Sequence, residues 1–181
     1  MNLHGIDLIS FGYFENDFLE KVADSVNREY NLPVHIKEGH LDLSEYYDPG
    51  RRQYNGNQIL IEVDKHYSSD SIKTFGLFYV DLFIPILTYI FGQAFLGGRT
   101  AIASIYRLSN ERYGLKEIQD HLLARFTKEV VHELGHTFGL IHCHVPGCVM
   151  GSSTYVEDID QKGAHLCTKC RSELISGTNP L

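Results

Sequence analysis

The chain has 181 residues, 43% of them apolar, enough to bury a substantial core as one compact domain or one domain with a small lobe attached. A net charge of −7 with only 22% charged residues excludes basic-patch nucleic-acid binding and anchoring to anionic membranes. The 12% aromatic content and the lack of polar tracts exclude a disordered chain, and composition excludes collagen-like, coiled-coil and disulfide-scaffold classes.

In chain order, GIDLISFG (5–12) reads as a buried strand, followed by a helix over 14–29 whose apolar face carries Phe18, Leu19, Val22, Ala23 and Val26. LPVHIKEG reads as a second strand, and the stretch from His40 to Gly56, with Asp48-Pro49-Gly50, as a loop. Residues 53–64 carry Ile59, Leu60, Ile61 and Val63 and fit helix or strand, helix being favoured. Strands are predicted over 73–83, 87–95 and 99–107. The apolar run 76–98 reaches membrane-spanning length, but Asp81, Pro85 and Gln93 interrupt it. Two buried strands meeting near Ile84-Pro85 account for it, so a protein without a membrane span is expected. Leu115, Ile118, Leu122, Phe126 and Val130 predict the longest helix, 115–139, with Gly139 placed to stop it. Beyond Gly139 apolar anchors thin out, and the tail needs another source of stability. The first residues carry no basic leader or small-residue cleavage site, so cytoplasm is the expected compartment.

The long helix ends in His132-Glu133-Leu134-Gly135-His136, followed by Thr137-Phe138-Gly139-Leu140-Ile141-His142, the pattern H-E-x-x-H-x-x-G-x-x-H. A spacing of four stacks His132 and His136 on one helix face, where both imidazoles reach one metal ion. Gly139 can take positive φ and swing His142 back to the same ion. Three neutral imidazoles with a fourth position open make a catalytic zinc site. Glu133, at the edge of that face, is placed to take a proton from the attacking water and pass it to a leaving amine. Surface or capping histidines are the plainer alternative, and the added glycine and third histidine make it remote.

Cys143, Cys148, Cys167 and Cys170 form two short-spaced pairs, suited to a closed structural zinc site that supplies folding energy to the tail. The alternatives are free dithiols or a redox pair at Cys167/Cys170, which lacks βαβ context; His144 or His165 could replace one thiol. Asp81 and His121 read as satisfied structural groups, and Arg51-Arg52 and Lys169/Arg171 as solvated surface.

The extended zinc motif running into Cys143, then Cys148-Val149-Met150, then Cys167-Thr168-Lys169-Cys170, resembles the archaemetzincins, a metzincin family of archaea and vertebrates. Upstream, FGQAFLGGRTAIASIYRLSNERYG is similar to that family's strand region with less specificity. The resemblance implies zinc ligation by His132, His136 and His142, Glu133 as general base and acid, and a second zinc on Cys143, Cys148, Cys167 and Cys170. It also implies a Met-turn at Met150, which bottom-up reads only as core. The Met150-to-Cys167 interval sits about a residue off the family spacing, so the loop path there is open. Some metzincins place a zinc-binding Tyr two residues after the Met; here that position is Ser152, so Tyr155 is given no such role.

The expected molecule is therefore an α/β (α+β) metzincin-like protein: a twisted mixed sheet with the active-site helix over 1–142, and a small zinc-stapled lobe with the Met-turn over 143–181. It is expected to be a monomeric zinc metallopeptidase with two zinc ions, acting on peptides or proteins that lie along a sheet edge. The rivals are a peptide-binding scaffold with structural zinc only, and a small-substrate zinc amidase or aminopeptidase. Glu133 separates the first from a hydrolase, because binding alone does not need that carboxylate.

Overall fold

A computed structural model describes residues 4–68 and 71–177. Strands β1 (His4–Ser10), β2 (Val34–Glu38), β5 (Ser71–Phe78), β8 (Thr100–Ser104) and β7 (Gly92–Ala94) form a five-stranded sheet in the order β2-β1-β5-β8-β7. All neighbours are parallel except β7, which runs antiparallel to β8 and forms an edge. The side-chain alternation of strands divides the core into two layers. Ile6, Leu8, Phe75, Leu77, Ala101 and Ala103 face helices α1 (Asn16–Tyr30) and α3 (Gln119–Thr137). Ile9, Phe78 and Ile102 face helix α2 (Gly56–Tyr67). The central strands β1, β5 and β8 are thus buried on both faces, which explains their near-continuous apolar runs, whereas the edge strand β2 is largely exposed.

The expected α/β fold is what the chain adopts, with several local differences. The loop expected at 40–56 contains a 3-10 turn, Ser44–Tyr46, and two short strands, β3 (Tyr47–Asp48) and β4 (Gln53–Asn55). β4 pairs with β3 on one side and with β6 (Leu82–Phe83) on the other in a small second sheet. Residues 53–64 are chiefly helical, with Asn55 capping α2 through its side chain. Of the strand expected at 87–95 only β7 forms, and 84–89 become a loop pinned by Arg51, which donates to the Pro85 and Leu87 carbonyls and stacks on Phe83. Arg51 therefore holds a loop as well as facing solvent.

The long helix begins at Gln119, four residues later than its periodicity suggests. The Glu117 carboxylate accepts from the Ser109 hydroxyl and from the Asn110 and Ile118 backbone N–H groups, tying 109–118 into a closed loop that leaves Leu115 and Ile118 exposed. His121 is exposed on α3, apart from both donor clusters described below. Asp81 is satisfied as expected, by a two-pronged pair with Arg107 at 2.7 and 2.5 Å.

The tail buries more than its composition suggests. Helix α4 (Val156–Gln161) contributes Val156 and Ile159, and α5 (Thr168–Gly177) contributes Cys170 and Leu174. With Val149, Met150 and Leu166 they join the core layer of α1 and α3. Arg171, expected as solvated surface, instead meets Glu29 at 2.5 Å. The buried Glu29 carboxylate also accepts from the Leu166 N–H at 2.8 Å and contacts His165 Nδ1 at 2.9 Å. One side chain of α1 thus clamps the segment that carries the last two cysteines. Glu29→Ala leaves the buried Leu166 N–H without its acceptor and should cost about 1–3 kcal/mol, read as a lower denaturant midpoint with an unchanged slope.

Candidate active site

Helix α3 carries the first two histidines and the glutamate, and its C-terminal end sets the third. Gly139 sits at φ +90°, with its N–H bonded to the His136 carbonyl and the Leu140 N–H to the Gly135 carbonyl. That is a Schellman stop, which reverses the chain with a residue no side chain would favour there. It brings His142 beside the helix, with ring centroids 5.3 Å from His132 and 5.0 Å from His136.

The two helix imidazoles are held in one tautomer. His132 Nδ1 donates to the Val149 carbonyl at 2.8 Å and His136 Nδ1 to the Leu140 carbonyl at 2.7 Å, because a carbonyl only accepts. Each Nε2 is then an unprotonated lone pair, yet the two Nε2 atoms stand 3.1 Å apart. Two facing lone pairs cannot hydrogen-bond and need a cation between them. Nitrogens at about 2.0–2.1 Å from a tetrahedral zinc lie about 3.3–3.4 Å apart, so the spacing fits that ion. Burial and the nearby Lys162 charge lower the proton affinity of all three imidazoles, strongly for His132, and keep them in the neutral form a metal requires.

Glu133 is buried, and its carboxyl is held well above the usual carboxylate range, first by burial and then by the neighbouring Glu129 charge, with Lys162 opposing. Across from it, a Cβ on Gly92 of β7 would stand 2.7 Å from Glu133 Cγ and 3.1 Å from its Oε1. Only glycine at that strand position leaves room for the carboxylate. Met150 is fully buried, and its Sδ occupies the space a Cβ on Gly135 would need. Its backbone accepts from the Cys143 N–H at 3.0 Å, while its neighbour Val149 orients His132. The turn at Met150 therefore lies directly under the helix and joins the two donor clusters.

The four thiols form the second cluster, with all Sγ atoms within 4.8 Å of one another. Cys143–Cys167 and Cys148–Cys170 are each 3.8 Å apart, too far for disulfides. Sulfurs at about 2.3 Å from a tetrahedral zinc lie about 3.8 Å apart, the same spacing. The Val145 and Cys167 N–H groups point at Cys143 and Cys148 sulfurs at 3.4 Å. The Cys170 backbone N–H foremost holds the Cys167 thiol down to about 7, whereas burial pushes Cys148 and Cys170 up. Four sulfurs so close cannot all ionise without a cation among them, and no His144 or His165 nitrogen joins the cluster.

Both predicted donor sets are thus assembled. A family model described as peptidase family M54 matches residues 5–176. An archaemetzincin of Thermococcus kodakarensis is 35% identical over 175 residues, covering 93% of this chain and 94% of that protein. The chain belongs to the archaemetzincins. The crystal structure of an archaemetzincin from Methanopyrus kandleri superposes with a TM-score of 0.84 at 30% identity, covering 97% of this chain and 95% of that one. A zinc-dependent peptidase from Methanocorpusculum labreanum gives 0.83 at 28% identity, covering 94% and 100%. The family is one of zinc metallopeptidases, and the histidine triad and four-cysteine cluster of this chain are consistent with two zinc sites. Among the described residues no helix is long and apolar enough to cross a membrane.

The histidine site opens into a cavity of about 450 Å³, walled by the loop around Ile84–Phe91 on one side and by Ser152–Tyr155 on the other. The Tyr89 hydroxyl reaches across to the Thr154 carbonyl at 2.9 Å, and Arg107 stacks over the Tyr89 ring at 4.4 Å. Tyr155 lines the cavity but belongs to neither donor cluster. Sequence reasoning missed Glu129, Lys162 and Gly92. The i, i+4 spacing of Glu129 and Glu133 could have flagged the first; Lys162 and Gly92 reach the site only through tertiary packing.

Proposed function

We propose that His132, His136 and His142 hold a catalytic zinc ion, that Cys143, Cys148, Cys167 and Cys170 hold a structural one, and that Glu133 is the general base and acid of peptide-bond hydrolysis. The observation that carries this reading is the pair of lone-pair nitrogens fixed 3.1 Å apart by two backbone carbonyls, with Glu133 next to them and buried. Zinc bound there would polarise the scissile carbonyl and lower the pKa of the attacking water. Glu133 takes that water's proton, for which its raised proton affinity suits it, and delivers the proton to the leaving nitrogen. Met150 packs beneath Gly135 and fixes the helix over the turn that orients His132. The open edge of β7, whose Gly92 lines the cavity, offers backbone donors and acceptors to an extended peptide. Ser152–Tyr155, which follow the turn at Met150, wall the cleft from the other side.

Elemental analysis of gently purified, zinc-loaded protein should give two zinc ions per chain, and His136→Ala should retain one while losing peptide cleavage. A parent protein holding one zinc or none after loading would sink the two-site reading.

A further inference from the structure

Past Glu133, toward the N-terminal half of α3, the cavity floor is formed by Glu129 and Lys162. Glu129 lies one turn before Glu133 on the same helix face, and Lys162 follows α4. Their side chains are only 4% and 6% exposed, and Lys162 Nζ stands 3.2 Å from Glu129 Oε1. The two form a buried ion pair, and Glu129 Oε1 has no further partner among the described residues. Lys162 donates to the Gly151 carbonyl at 3.2 Å, which leaves N–H directions of its ammonium uncommitted. Ser153 Oγ, in the same lining, is buried and also has no hydrogen-bond partner among the described residues. Donor and acceptor capacity therefore stand open side by side on a floor whose two charges cancel.

We propose that Lys162 and Glu129 select a carboxamide side chain, glutamine or asparagine, on the substrate residue that supplies the leaving nitrogen. This rests on Glu133 acting as proposed, since delivery of a proton to that nitrogen places its residue on the Glu133 side of the cleft. A carboxamide oxygen accepts from Lys162 while its NH₂ donates to Glu129 Oε1, so both open groups are satisfied without adding charge. A carboxylate there gains Lys162 but is pressed against Glu129, and an ammonium or guanidinium meets the reverse conflict. An aliphatic side chain fills the pocket but leaves the remaining donor capacity of Lys162 and acceptor capacity of Glu129 unused. Sites built around such groups discriminate strongly against analogues that cannot pair with them.

The test uses zinc-loaded Glu133→Gln protein and blocked alanine hexapeptides that differ only at the fourth residue: Gln, Glu, Lys or Leu. Alanine flanks leave one side chain able to fill the pocket in any register. Calorimetry should show the Gln peptide binding about tenfold or more tightly than the other three. Adding Glu129→Gln leaves Lys162 uncompensated and should shift the preference to the Glu peptide, whereas a merely structural ion pair would weaken all four alike. Binding of the Glu, Lys or Leu peptide as tight as that of the Gln peptide overturns the proposal, even if Glu129→Gln fails to fold, and so does failure of all four to bind. Equal cleavage rates for the unaltered protein and Glu133→Gln would instead overturn the role of Glu133, a separate outcome from the binding order.

Discussion

Glu133→Ala should lower peptide cleavage by about 10²–10⁴-fold or more while both zinc ions and the fold stay in place. The expectation follows from its position. Glu133 belongs to neither donor cluster, so its loss removes no ligand. It is buried, and a buried carboxylate is costly to hold, so the fold does not depend on its charge. Its carboxylate faces a strand residue, Gly92, that leaves space for it and for little else, so alanine opens a small void without forcing movement. Parent, Glu133→Ala and His136→Ala are compared for zinc content, thermal midpoint and cleavage at equal concentration. If Glu133→Ala cleaves as fast as the parent, the hydrolytic mechanism fails and a contaminating protease becomes the source of activity. If its zinc content falls with its activity, Glu133 is holding the site together rather than moving protons.

The parts of this molecule legible in the sequence are those whose spacing is local. His132 and His136 share a helix face by the 3.6-residue period, and Gly139 announces the reversal that brings His142 back. The Cys167-Cys170 pair likewise folds within one turn. The buried strands were legible as apolar runs because both sheet faces are covered. What periodicity misled is the start of α3, where Leu115 and Ile118 keep helical spacing but Glu117 uses its carboxylate to close a loop. What remained hidden are the pairings across the fold. Glu29 sits on α1, and its donors lie more than 130 positions away, so no local window shows that this carboxylate clamps the cysteine segment. Lys162 lies in the tail where apolar anchors thin out and no local pattern marks it, yet packing buries it beside Glu129. Composition undervalued the tail for the same reason: few apolar residues suffice when each is placed against the core of α1 and α3.

The two clusters should respond unequally to loss of a ligand, with damage running from the cysteines to the histidines. His136→Ala should cost one zinc and leave the cysteine site filled, because nothing in that site depends on the imidazole. Cys148→Ser should cost both. Cys148 is buried and precedes Val149, whose carbonyl fixes the His132 tautomer, and Met150, whose side chain supports Gly135. The Met150 carbonyl is in turn bonded to the Cys143 N–H, so the turn under the helix is held by the same segment that supplies two thiols. Structural zinc in small peptide modules contributes about 10–16 kcal/mol of coupled folding energy at neutral pH. Here the gain is smaller, because the tail also packs on the main core, but losing it should still lower the thermal midpoint visibly. Mild chelation should strip the open histidine site first with the fold intact, since four thiolates close the other. The measurement is zinc per chain and thermal midpoint for parent, His136→Ala and Cys148→Ser, before and after graded chelation. If Cys148→Ser keeps one zinc on the histidines with an unchanged midpoint, or chelator empties the cysteines first, the cysteine site is not what holds the catalytic turn in place.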